Sequence, residues 1–187
     1  IIETGHTGYE NPEPVVKVDL QKANLNNVTV KFEYTIKITN DGEEGSAVAG
    51  YAKEISDYVP EGLKFLPEDN ENWTEVDGKI VTDALADVLL QPGESAEVTV
   101  ILTWINGENN MGLKTNTAEI SKDYNEYGTP DIDSTPNNKV PGEDDIDDAP
   151  VMLTVRTGMP KQYYGVAFGI LLIITAGVVV IKKKVIA

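Results

Sequence analysis

The sequence predicts an all-β fold, an antiparallel sandwich, followed by one transmembrane helix. Three observations carry that expectation. Val28, Val30, Phe32, Tyr34, Ile36 and Ile38 alternate with Thr29, Lys31, Glu33, Thr35, Lys37 and Thr39, the two-residue period of a strand with one buried and one wet face. Several further short runs of this kind follow, separated by turn residues. Tyr163 to Ile181 then holds no charge across 19 residues and is closed by Lys182, Lys183 and Lys184.

In chain order, Val15 to Leu20 reads as a short strand after Pro12 and Pro14. Asn27 to Asn40 is the long alternating strand, rich in the β-branched and aromatic residues that strands favour, and Asn40-Asp41-Gly42 ends it. Ala47 to Ser56 forms another strand. The turn Pro60-Glu61-Gly62 leads into Leu63 to Leu66, and Lys79 to Thr82 is short. Asp83 to Leu90 fits a short helix or an irregular crossing equally well. Gln91-Pro92-Gly93-Glu94 is a turn before Ala96 to Ile105, where Val98, Val100, Leu102 and Trp104 alternate. Thr115 to Ser121 and Val151 to Val155 complete seven or eight short strands, the pattern of an immunoglobulin-like sandwich.

The implied organisation is a leading segment or linker over 1–14, a sandwich over 15–156 that includes an acidic loop over 122–149, a juxtamembrane stretch over 157–162, the helix over 163–181 and a tail over 182–187. The chain starts at Ile1 without Met, which reads as a mature product or the end of a longer chain. Residues 1–160 hold 11 of the 15 basic and all 31 acidic residues, a net charge of −20. Nucleic-acid affinity comes from basic groups that neutralise phosphates, so this balance argues against it and fits a well-solvated surface or one that meets divalent cations. The absence of cysteine excludes thiol chemistry and cysteine metal sites. His6, the single histidine, lies in the leading segment and builds no catalytic triad. The carboxylates cluster in loops without sign of a cleft, so the expected protein is not an enzyme.

As a helix, Tyr163 to Ile181 spans about 28 Å, enough for the hydrocarbon core of a bilayer. Tyr163 and Tyr164 suit the headgroup level, and the lysine cluster marks the cytoplasmic side. The expectation is a single-pass protein of the cell membrane with its acidic bulk outside. Val155-Arg156-Thr157-Gly158 resembles the end of the Leu-Pro-x-Thr-Gly sorting signal, but Thr154 and Val155 stand where Leu-Pro is required, so membrane retention is preferred over cell-wall attachment.

Residues 131–150 hold seven carboxylates against Lys139 alone. Calcium takes several oxygen ligands from carboxylates, amide carbonyls and backbone carbonyls. Asp131, Asp133, Asn137, Asn138, Glu143, Asp144, Asp145 and Asp147 are the candidate ligands, with Asp148 beside them. The Asp-x-Asp spacing puts two carboxylates near one ion, and the Pro141-Gly142 turn folds the second cluster back on the first. The loop is not an EF-hand, because Pro136 stands where that motif needs glycine. The alternative is a solvated acidic linker.

Ile38-Thr39-Asn40-Asp41-Gly42, the run Ile55 to Phe65, Leu90-Gln91-Pro92-Gly93-Glu94-Ser95-Ala96 and Thr115-Asn116-Thr117-Ala118-Glu119-Ile120 occur in that order. The set resembles the domain of unknown function eleven, an immunoglobulin-like repeat of bacterial surface proteins. The stretch from Asp131 to Asn138 and Glu143-Asp144-Asp145 resemble the acidic ending of Gram-positive members. The resemblance spans about residues 15–156. It implies stalks, adhesin modules and envelope proteins, and no chemistry. It also raises a Lys17–Asn116 isopeptide bond assisted by Asp57 or Glu54, against the simpler reading of Asn116 as a strand-end residue bonding to backbone. The expected function is a membrane-anchored structural or stalk module. Its rivals are an adhesin that binds a host or envelope protein or glycan, and an accessory module of a larger surface enzyme. Trp73, Trp104, Tyr51 and Tyr58 offer a sugar-stacking patch, but the preferred places are the core for Trp104 and a sheet edge for Trp73.

Overall fold

The longest alternating run forms β2, Lys31–Thr39, and pairs antiparallel along its whole length with β7, Ser95–Trp104, from Lys31 opposite Thr103 to Thr39 opposite Ser95. Phe32, Tyr34, Ile36 and Ile38 on β2 and Val98, Val100, Leu102 and Trp104 on β7 are all buried, as the two-residue period requires. β4, Leu63–Phe65, adds to the free side of β7. The computed structural model describes residues 15–41, 48–131, 134–156, 169–173 and 180–186, the last two by their backbone.

A second sheet faces the first across one core. It has the order β1-β9-β8-β3-β6-β5. Its strands are β1 Val16–Gln21, β3 Tyr51–Tyr58, β5 Thr74–Val76, β6 Lys79–Thr82, β8 Gly112–Tyr124 and β9 Ile146–Arg156. Val16, Val18 and Leu20 of β1, Ile55 of β3, Ala118 of β8 and Ala149, Val151 and Leu153 of β9 join the β2 and β7 residues in one cluster. The architecture is therefore an all-β sandwich of two sheets. The pair β1–β9 is parallel while the other pairs are antiparallel. A parallel pair needs a long crossover, and here almost the whole domain separates its two strands.

Several local expectations hold. Gly93 has φ 84° and Glu94 N–H donates to Gln91 O at 2.8 Å, so Gln91–Glu94 is a turn with Pro and Gly at its central positions. β5 was not expected. It pairs with β6 across Asp77-Gly78, whose φ values are 50° and 81°, the two left-handed positions of a tight hairpin. Residues 83–90 form turns rather than a helix, and Leu90 bridges Gly50.

The segment expected as a transmembrane helix is different where it is described. Gly169–Ile173 is β10 and Val180–Ile186 is β11, paired antiparallel. β11 also pairs antiparallel with β2, placing Lys183 opposite Tyr34. Among the described residues no helix is long and apolar enough to cross a membrane. Residues 163–168 and 174–179 of that segment lie outside the described residues, as do 1–14, 157–162 and Ala187. The physical reason is twofold. An apolar run rich in Val and Ile suits a strand as well as a helix, and periodicity does not separate the two. β2 without β11 would be a sheet edge with unpaired N–H and C=O groups.

Candidate functional site

β8 carries Glu119 opposite Ser56 of β3 and Ile146 of β9. Its position alternates with core-facing Ala118, so the strand period would place it in solvent. It is instead fully buried, because the chain leaving β8 at Tyr124 folds back over it before entering β9 at Ile146. Glu119 Oε1 accepts the backbone N–H groups of Asn138 and Lys139 at 2.7 and 2.9 Å, and Oε2 accepts the Tyr58 hydroxyl. Burial, the hydrogen bond to Glu119 and the charges of Glu119 and Asp145 push the Tyr58 hydroxyl well above its usual pKa. One carboxylate thus ties the acidic loop to two strands, with charge-assisted bonds of the stronger kind.

The loop is structured by its own side chains. Asn125 Oδ1 accepts the N–H groups of Tyr127 and Thr129, and Asn125 Nδ2 donates to Thr129 O at 2.6 Å. The Ser134 hydroxyl donates to Asp131 at 2.7 Å. Glu143 Oε2 accepts Thr135 N–H at 3.0 Å and Asn138 Nδ2–H at 2.7 Å, which brings the two halves of the acidic run together around the Pro141-Gly142 bend. Asn138 Oδ1 accepts Val140 N–H at 2.9 Å. Lys79 donates to Asn137 Oδ1, and Lys139 Nζ lies 4.1 Å from the centre of the Tyr58 ring.

Asp145 is the unusual member. It is 3% exposed, and neither oxygen of its carboxylate is hydrogen-bonded to another residue. Burial first, then the charges of Glu119, Glu143 and Asp131, push its pKa up to about 7. The Ser56 hydroxyl, on the strand beside Glu119, is a further buried oxygen without a partner. Buried polar atoms are hydrogen-bonded in the large majority of cases, so the unsatisfied Asp145 carboxylate is an exception that calls for a physical reason.

Of the expected ligands, the structure joins Asn138 to Glu143 and puts Asp145 under the influence of Glu143 and Asp131. Asp144 follows Glu143 half-buried, and Asn137 is turned to Lys79. Asp147 lies within β9 opposite Ala118, 6% exposed, and Asp148 lies opposite Thr117, so both belong to the ladder rather than to the loop. Asp133 lies outside the described residues. Among the described residues no three His, Cys, Asp or Glu side chains stand as a preformed metal-ligand group. Glu119 and Ser56 escaped the sequence reading, and Tyr58 entered it only as part of a sugar-stacking patch, since each occupies an ordinary strand position outside the acidic run.

The second expected constellation assembles in part. Asp57 and Asn116 are fully buried, and Asn116 Nδ2 donates to Asp57 Oδ2 at 2.5 Å. Tyr34 is also buried, and burial with the Asp57 charge raises its hydroxyl well above the usual range. Lys17, however, is exposed and lies opposite Met152 on the outer face of β1, so the lysine of the proposed cross-link is not presented to Asn116. Trp104 is core as expected, and Trp73 is 4% exposed with its indole N–H donating to Thr99 O at 2.7 Å. Neither indole offers a stacking face. Comparison with family models, with curated proteins and with solved structures gave no match.

Proposed function

We propose that the chain is a non-enzymatic structural module of a bacterial cell surface, an immunoglobulin-like sandwich anchored in the membrane and joined to it through an acidic, calcium-binding neck. The observation that carries the placement is the 19-residue uncharged run Tyr163 to Ile181 with Lys182, Lys183 and Lys184 behind it. In a bilayer β11 leaves the edge of β2 and the run Tyr163 to Ile181 is helical, since only helices and closed barrels satisfy their backbone groups in lipid. The parallel first and last strands of the domain, β1 and β9, suit the immunoglobulin-like reading, and so does the resemblance to the surface-repeat family. The work of such a module is positional: it holds attached domains away from the membrane, and calcium in the 122–149 loop stiffens the connection.

The test is protease added to intact cells. Loss of residues before 160, with a protected fragment that contains 163–187, is the expected result; protection of the sandwich until the cells are broken overturns the placement. One observation favours the adhesin reading as second. Tyr124 and Tyr127 are 52% and 75% exposed, and the Tyr124 ring lies 6.2 Å from that of Tyr51. Tyrosines are enriched at interfaces, where the ring meets apolar surface and the hydroxyl a polar partner. Glycan or matrix binding abolished by Tyr124→Ala with Tyr127→Ala would move the function to that reading.

A further inference from the structure

We propose that Asp145 is the central ligand of a calcium site at the junction of β8, β9 and the acidic loop, with Glu143 and Asp131 as further oxygen donors and Glu119 as the residue that holds the loop in register. This rests on the calcium reading above and gives it a place and a ligand set.

The argument begins with Asp145 itself. A buried carboxylate is normally paired or hydrogen-bonded. Asp145 is 3% exposed and neither of its oxygens is hydrogen-bonded to another residue. Every charge that acts on it is negative: Glu119, Glu143 and Asp131. The two lysines of this region have other partners for their ammonium groups. Lys79 donates to Asn137, and Lys139 lies over the Tyr58 ring. Negative charge is therefore concentrated around a buried, bidentate oxygen donor, and among the described residues no lysine or arginine forms an ion pair with it. A hard divalent ion matches that deficit in charge and in ligand type.

The surroundings favour calcium over magnesium. Magnesium needs near-ideal octahedral geometry, whereas calcium accepts six to eight oxygens in irregular arrangements, backbone carbonyls included. The donors here come from a strand start and an irregular loop. Both hydrogen bonds to Glu143 fall on Oε2, so its other oxygen can turn to an ion without loss of the loop's internal bonds. The preformed part of the site is Asp145 together with Glu119, whose two oxygens bind Asn138, Lys139 and Tyr58. The site requires Glu143 and Asp131 to close on the ion when it binds, because the metal-free carboxylates do not stand as a compact group among the described residues.

The experiment is calorimetric titration of calcium chloride into the full chain in lipid nanodiscs. Wild type, Asp145→Asn and Asp123→Asn are compared, the last removing an exposed charge from β8. The expected result is binding by wild type, an affinity loss of roughly tenfold or more in Asp145→Asn, and a change within about twofold in Asp123→Asn. Asp145→Ser is the second variant, and urea midpoints without calcium show that each is folded. Magnesium titrated alone should bind at least about tenfold more weakly than calcium. Calcium binding that Asp145→Asn and Asp145→Ser leave at wild-type strength overturns this site while the loop reading survives. An equal loss in Asp123→Asn overturns it in favour of diffuse charge attraction. No heat from the wild type removes both.

Discussion

Glu119 is the residue on which the folding of the acidic loop depends most directly. Glu119→Ala removes the acceptor for Asn138 N–H, Lys139 N–H and the Tyr58 hydroxyl at once. Hydrogen bonds to a charged group contribute about 1.5–3 kcal/mol each. The two loop amides regain water when the loop lifts, so their loss is smaller than the sum. Removing Glu119 also deletes one of the charges that act on Asp145, which offsets part of the cost. The net expectation is a loss of about 2–3 kcal/mol in metal-free protein, and about 1 kcal/mol for Glu119→Gln, which keeps one acceptor oxygen. Urea unfolding followed by tryptophan fluorescence measures the stability, and trypsin cleavage after Lys139 measures loop opening. At about 1.4 kcal/mol per factor of ten, Glu119→Ala should be cut there at least about tenfold faster. A variant within about 0.5 kcal/mol of wild type and cut at the same rate would refute the idea that the loop is clamped to β8.

Asp145 makes a prediction of opposite sign. Its folded pKa of about 7 stands above the ordinary aspartate value of 3.8, so ionisation opposes folding: metal-free protein should lose stability as pH rises from 3.8 to about 7 and lose no more above that. The interval caps the effect at about 4 kcal/mol, and partial solvation lowers it to about 1–3 kcal/mol. Asp145→Asn should flatten this part of the profile and raise the urea midpoint at pH 8; an unchanged profile would contradict the burial of a charged Asp145. Trp73→Ala should cost about 3–5 kcal/mol, since its buried ring also donates to Thr99 O; an exposed ligand-binding tryptophan would instead leave the unfolding midpoint in place. Asn116→Ala should destabilise by about 2–4 kcal/mol, because it strips a partner from buried Asp57; a neutral result by thermal unfolding would mean the pair adds nothing.

The strands were legible where one face is wet and the other dry, as in β2 and β7, because alternation then appears directly in residue type. The turns at 60–62 and 91–94 were legible through Pro and Gly. β5 was legible in principle: Asp77-Gly78 carries the hairpin signal, but Thr74–Val76 has three exposed residues and no apolar face to announce it. The acidic run was legible as a cluster and illegible as a site. Its folding rests on Glu119, 19 and 20 residues before the amides it binds, and a charged residue at a solvent-facing strand position gives no sign that a loop will cover it. Lys17 shows the converse error. Its place on the first strand was right, but the same alternation that buries Val16 and Val18 turns it outward. Residues 163–181 were ambiguous in principle, since Val, Ile and Leu serve a membrane helix and a sheet edge alike.

The most direct test is hydrogen exchange at the backbone amides of Asn138 and Lys139 in the full chain, with and without calcium. The account predicts protection in metal-free protein, because Glu119 accepts both N–H groups, and a further slowing of about tenfold or more with calcium at 100 times its dissociation constant. Exchange at the rate of an unstructured peptide in both conditions would show a solvated tether in place of a folded, cation-binding neck.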